Sequence, residues 1–211
     1  MTWSDLGARR GYHHGNLREA LVAAALELIA AKGPAGFTVT EAARLAGVSA
    51  AAPYRHFRDA DALLAEVAVR GFDLLTDMVA GAWNGGRPSP VAAFEAAGRA
   101  YLGFARTRPA HYAAMFDARL SAEARPELQA AGERAFGVLR EAAEHVSASA
   151  PRGVRPPALM LALHVWTMAH GTAALFVRGG AAQRKLPMAA EELLEAGLLI
   201  YLQGLGLTGG E

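Results

Sequence analysis

The chain has 211 residues, 53% of them hydrophobic and rich in Ala and Leu, with a formal net charge of +1 and no cysteine. That length allows one or two domains with a substantial core, and the lack of cysteine excludes disulfides, thiolate catalysis and cysteine-ligated zinc while fitting a reducing compartment. The near-neutral balance excludes a whole-molecule basic field, although a small basic face on a larger neutral body would vanish in that average.

Residues 1–14 are polar, with Arg9, Arg10, Tyr12, His13 and His14 close together, and are expected to form a flexible basic arm. No continuous apolar stretch occurs there, so no secretory leader is expected. Arg9 and Arg10 are candidates for entering a minor groove, as basic arms do; a terminus with chance charge is the alternative. A first helix is expected from Asn16 to about Lys32. Asn16 and Glu19 have capping-box spacing, Leu17, Leu21, Ala24, Ala25 and Leu28 form an apolar stripe, and Gly33-Pro34 ends it.

The stretch from Phe37 to Phe57 reads as two short helices joined by a tight turn. Thr38 and Glu41 repeat the capping box, and Val39, Ala42, Ala43 and Ala46 recur at helical spacing. Gly47 accepts the left-handed conformation that ends a helix, and Ser49 is placed to cap the next one, Ala50 to His56. Small Ala43 and Gly47 let the two helices approach, as a helix-turn-helix requires. Pro53 would be the fourth residue of that second helix, where it forfeits a hydrogen bond and crowds the Ser49 carbonyl.

Asp59 is placed to cap a further helix carrying Leu63, Leu64, Val67, Phe72 and Leu75 towards Trp83. Asn84-Gly-Gly-Arg-Pro-Ser-Pro is the clearest break in the chain. A second helical series follows. Ser89-Pro90 opens a helix to about Arg106, Pro109 a short one, and Pro126 one reaching about Val146. Two more are expected over 158–177 and 187–205. The stretch between Arg155 and Arg178 contains no Asp, Glu, Lys or Arg, yet His164, Thr167, His170 and Thr172 interrupt it. Burial against the last helix and a second subunit is expected there, not membrane insertion.

Taken together, Asn16-Leu-Arg-Glu, Phe37-Thr-Val-Thr-Glu-Ala-Ala, Ala46-Gly-Val-Ser, Tyr54-Arg-His-Phe and Ala62-Leu-Leu resemble the DNA-binding domain of TetR-type transcriptional regulators. Two positions depart from it: Pro53 stands where many members carry Leu, and Ala60 stands near where many carry a phosphate-holding Lys. Trp166-Thr-Met-Ala-His170-Gly171 resembles the Trp…His-Gly signature of one C-terminal domain type in such regulators. The resemblance implies an all-α chain: a three-helix DNA-binding domain over 15–75, with its motif at 38–57, and an effector-binding and dimerising bundle over 76–211. It also implies a cytoplasmic homodimer on a pseudo-palindromic operator, with repression as the family-level default and no cofactor.

On DNA, Thr38, Thr40, Arg44, Tyr54 and His56 are expected to hold phosphates, and free N–H groups near Ser49 and Ala50 to favour an anion. Arg55 is the candidate for bidentate guanine contact, and the methyls of Ala50, Ala51 and Ala52 for thymine contact. Phe94, Tyr101, Phe104, Tyr112, Met115, Phe116, Phe136, Leu139, Trp166 and His170 are candidates for an apolar effector cavity, plain core packing being the alternative for each. Leu163, Thr167, Gly171, Leu194, Leu198 and Tyr201 are candidates for the dimer interface.

Two other classes compete with this reading. No His-Glu-x-x-His pair, Gly-rich loop after a strand or Gly-x-Ser-x-Gly elbow is present, so no enzyme is expected. The remaining alternative is a helical ligand carrier or dimeric scaffold whose helix-turn-helix is only a corner.

Overall fold

The computed structural model describes residues 17–151, 153, 155–177 and 187–207. Eight α-helices occupy them: α1 Leu17–Lys32, α2 Val39–Leu45, α3 Ala60–Trp83, α4 Pro90–Thr107, α5 Pro109–Phe116, α6 Pro126–Ser149, α7 Ala158–Val177 and α8 Ala190–Gly204. Single 3-10 turns lie at Ala52–Arg55 and Asn84–Gly86, and no strand occurs among the described residues.

The punctuation read from the sequence explains most of these bounds. Thr38 and Glu41 form a complete capping box: the Thr38 hydroxyl accepts from Glu41 N–H at 3.2 Å, and Glu41 accepts from Thr38 N–H at 2.9 Å. At the other end of α2, Gly47 sits at φ +72°. Its N–H reaches the Arg44 carbonyl while Val48 N–H reaches that of Ala43, which is a Schellman closure. Replacing Thr38 with Ala is expected to destabilise the chain by about 1 kcal/mol; urea denaturation measures it, and an unchanged midpoint would mean the box is dispensable. Asp59 caps α3 through Ala62 N–H at 2.7 Å, Ser89 caps α4, and prolines open α4, α5 and α6 where a missing N–H costs nothing. The cap expected at Asn16 lies outside the described residues. The last helix starts at Ala190, a turn later than its expected start at Pro187, with the Glu192 carboxylate accepting from Ala189 N–H at 3.0 Å.

One element differs in kind. The α-helix expected over Ala50 to His56 is a single 3-10 turn, Ala52–Arg55, with no side-chain cap. Pro53 is the cause. As fourth residue of a Ser49-capped helix it would break a bond; the chain instead places it at the start of the turn, where no N–H is needed. The Ser49 carbonyl accepts from Ala52 N–H at 3.0 Å, and Pro53 and Phe57 are buried, pinning the turn to the core.

Two apolar clusters result. The first gathers Leu21, Ala25, Phe37, Phe57, Leu63 and Val67, joined by Ala114 and Leu128. The second gathers Leu75 and Trp83 with Phe94, Phe104, Val146, Leu161, Leu194, Leu198 and Leu202. Helix α3 runs through both without interruption, the changeover falling between Ala68 and Leu75. Helix α5 also bridges them. Ala114 belongs to the first cluster, Tyr112 to the second, and Met115 packs on both.

An ion-pair network ties α1 to α3. Glu66 accepts from Arg70 Nε at 2.8 Å and from Arg18, and Arg70 also holds Glu19. Burial works to raise the Glu66 pKa, but the guanidinium groups of Arg18 and Arg70 outweigh it and the net shift is downward. Arg70 lowers Glu19 likewise. A lowered carboxylate contributes stability present above the unfolded value of about 4.3, and lost as the pH falls through the folded one. The melting temperature is therefore expected to drop from about pH 7 to about pH 3, and to drop less in Glu66→Gln. Parallel melting curves in the two proteins would show that the network adds nothing.

Candidate nucleic-acid interface and apolar cavity

Thr40 and Arg44 on α2, then Ser49, Ala50, Ala51, Tyr54, Arg55 and His56 around the turn, are all exposed, so the helix-turn-helix presents the expected residues to solvent. Tyr54 is an outward-facing aromatic at 56% exposure. Thr38 is exposed too, but its hydroxyl is engaged in the capping box. Ala52 is half-buried. The charges sort into two groups. Lys32 pairs with Glu41 at 2.6 Å and Arg58 with Asp59 at 2.9 Å, whereas Arg44, Arg55 and His56 have no hydrogen-bond or ion-pair partner among the described residues. Arg58, highly exposed beside the turn, was missed because Asp59 next to it reads only as a helix cap. The helix N-terminus offered for an anion near Ser49 and Ala50 is not formed, since Pro53 reduces that helix to one turn. Arg9 and Arg10 lie outside the described residues.

The second feature is a cavity of about 380 Å³ inside the C-terminal helices. Its walls are Phe72, Leu75 and Val79 of α3; Ala97, Gly98 and Tyr101 of α4; and Phe116 of α5. Gly132, Ala135, Phe136 and Leu139 of α6 and Leu163, Val165, Trp166 and Ala169 of α7 complete it. Of the expected candidates, Tyr101, Phe116, Phe136, Leu139 and Trp166 line it. Phe94 and Phe104 do not, being wholly buried core. The α3 contribution was missed because Phe72 and Leu75 stand in one apolar series with Leu63, Leu64 and Val67, and Val79 was not singled out. Phe136, Leu139, Leu163 and Trp166 keep some solvent exposure, which puts the mouth between α6 and α7.

Behind the cavity stands His170. Its Nδ1 is 2.7 Å from the Tyr101 hydroxyl and 3.2 Å from that of Tyr112, and its ring packs 4.8 Å from Phe116 and 5.7 Å from Trp166. Burial lowers the His170 pKa below the usual histidine value, so the ring is neutral near pH 7. Burial, then neighbouring Tyr112, pushes the Tyr101 phenol up. His170, Tyr112 and Met115 thus support the cavity wall and do not line it.

The residues offered for a dimer interface separate. Leu163, Thr167 and Gly171 are exposed on one side of α7, in line with Met160, His164 and Leu175. Leu194 and Leu198 are not available: both are 1% exposed and pack against Gly98 of α4, where a Cβ would meet Leu198 Cδ1 at 3.3 Å. Tyr201 is half-buried and its hydroxyl lies 2.9 Å from His164 Nδ1. The exposed apolar residues of α8 are instead Leu199 and Ile200, one and two positions on. Nothing lies within 4 Å of a Cβ placed on Gly171, so it serves no close approach inside the chain. Residues 158–176 are long and apolar enough to cross a membrane by composition, but Leu161, Ala162, Val165, Ala169 and Ala173 are buried in the second cluster.

Comparison with known proteins finds family matches in both halves of the chain. The pattern of bacterial regulatory proteins of the tetR family matches residues 21–67, and that of the tetracyclin repressor-like C-terminal domain matches residues 94–200. No curated protein sequence matches. Among solved structures, a protein of unknown function from Rhodococcus sp. RHA1 is 30% identical, with a TM-score of 0.77 over 92% of this chain and 98% of its own. The TetR family transcriptional regulator PfmR from Thermus thermophilus is 22% identical, with a TM-score of 0.68 over 87% and 97%. The fatty acid degradation regulator FadR from Bacillus halodurans shares the fold at 12% identity, with a TM-score of 0.70 over 94% and 98%.

Proposed function

The chain belongs to the tetR family of bacterial regulatory proteins and is a DNA-binding transcriptional regulator; from that premise we propose that it is a cytoplasmic repressor, released from its operator by a small, largely apolar effector. The observation that carries the effector half is the apolar cavity of about 380 Å³, open between α6 and α7 and walled in part by the same α3 and α5 that pack beneath α1. A ligand there touches Phe116 of α5, whose Ala113 and Ala114 face the first cluster. An effector weakens DNA binding only if it prefers a different spacing of the two reading heads.

The reader is a homodimer, because one such module contacts too few base edges for a unique site. Its second copy meets the exposed strip of α7 together with Leu199 and Ile200 of α8. Arg44, Tyr54, His56 and Thr40 hold phosphates and Arg55 reads a base. The arm with Arg9 and Arg10 adds a minor-groove contact.

Fluorescence anisotropy tests this reading, using DNA upstream of the protein's own gene and a scrambled duplex at two salt concentrations. Sequence-dependent binding that weakens steeply with salt is expected. Equal, weak binding to both duplexes, with no other operator found in a genome-wide selection, would reject it.

A further inference from the structure

The cavity wall contains no Asp, Glu, Lys, Arg or His, and its side-chain hydrogen-bonding groups are the Tyr101 hydroxyl, already engaged with His170 Nδ1 at 2.7 Å, and the Trp166 indole N–H. A carboxylate or ammonium placed there surrenders its hydration without meeting a counter-charge. The titratable ring behind Tyr101, His170, supplies none near pH 7, because burial keeps it neutral. The wall is also rich in rings. Phe72 and Phe116 meet edge to face at 5.7 Å, and Phe136 and Trp166 at 6.1 Å; such surfaces favour a further aromatic ring in the space between them. The volume, about 380 Å³, is that of about a dozen liquid waters, which is room for up to about three fused rings.

Resting on the reading of this cavity as the effector site, we infer that its effector is an uncharged aromatic molecule of up to three rings, carrying at most a single hydroxyl or carbonyl group. That group meets the Tyr101–Trp166 corner, and the remainder of the ligand touches only hydrocarbon and ring faces. Acids and amines of the same size are excluded by desolvation and not by shape.

Calorimetric titration of the full-length protein with 2-naphthol, 2-acetylnaphthalene and naphthalene-2-carboxylate tests this, since the ketone and the acid are nearly equal in size. The two neutral probes are expected to bind, and the carboxylate to bind at least about tenfold more weakly. Ala135→Trp, which fills the cavity from α6, is expected to abolish neutral binding; Leu139→Trp serves if that variant does not fold. A carboxylate that binds as tightly as the ketone, and is blocked by the filled cavity, overturns the inference and leaves the effector site standing. Neutral binding that survives the filled cavity overturns both, because the ligand then sits elsewhere. No binding by any probe up to its solubility limit overturns the aromatic assignment.

Discussion

Arg55→Ala is expected to weaken operator binding by about 1–3 kcal/mol per half-site, and to relax the preference at one base pair of each. A two-fold dimer carries the change twice, so on the order of 2–6 kcal/mol is lost from the complex. The geometry makes the variant clean. Arg55 ends the 3-10 turn, is exposed, and has no hydrogen-bond or ion-pair partner among the described residues, so its removal leaves fold and caps intact. Arg44, equally exposed in the last turn of α2, is the control. Its loss is expected to weaken all sequences alike and to lower the salt slope by about one phosphate contact. Anisotropy against operators substituted one base pair at a time separates the two outcomes. Should Arg55→Ala lower every sequence equally, Arg55 is a phosphate clamp, and the base readout must come from Tyr54 or the alanine methyls.

The helices and their ends were legible because each depends on local chemistry. Thr38 with Glu41, Gly47, Asp59, Ser89 and the helix-opening prolines all act within about four residues of where they stand. In the reading head the first helix and its caps were legible for the same reason, and so were most of the side chains that face water, half-buried Ala52 excepted. What failed required knowledge of distant partners. Pro53 signalled trouble, but whether the chain would bend a helix or begin a shorter one depended on the burial of Pro53 and Phe57 against α1 and α3. The cavity draws on five helices, and nothing along α3 distinguishes Phe72, Leu75 and Val79, which face the cavity, from Leu63 and Val67, which fill the first cluster. Family resemblance placed a cavity in the second domain; only packing says which residues enclose it.

The α8 register is the correction with the largest consequence. Leu194 and Leu198, four residues apart, share one face of the helix and read, with Tyr201, as part of a dimer interface. The two leucines face α4 instead, because Gly98 leaves room for Leu194 and Leu198 to sink between the helices of their own chain. The free side turns to Leu199 and Ile200, the latter 71% exposed. Two substitutions within one turn should therefore behave in opposite ways. Leu198→Ala removes a fully buried side chain and is expected to cost about 2–5 kcal/mol of stability, while leaving the assembling surface untouched. Ile200→Asp removes nothing from the core, so the melting temperature of the chain at low concentration is expected to hold. In the proposed dimer it buries two unpaired carboxylates, one from each copy, in an apolar interface, which is enough to separate the subunits. Operator affinity is then expected to collapse by more than the Arg55→Ala loss, since a single head keeps one half-site only. Sedimentation velocity beside operator binding decides it. A dimeric, DNA-binding Ile200→Asp protein would move the interface off this strip of α7 and α8.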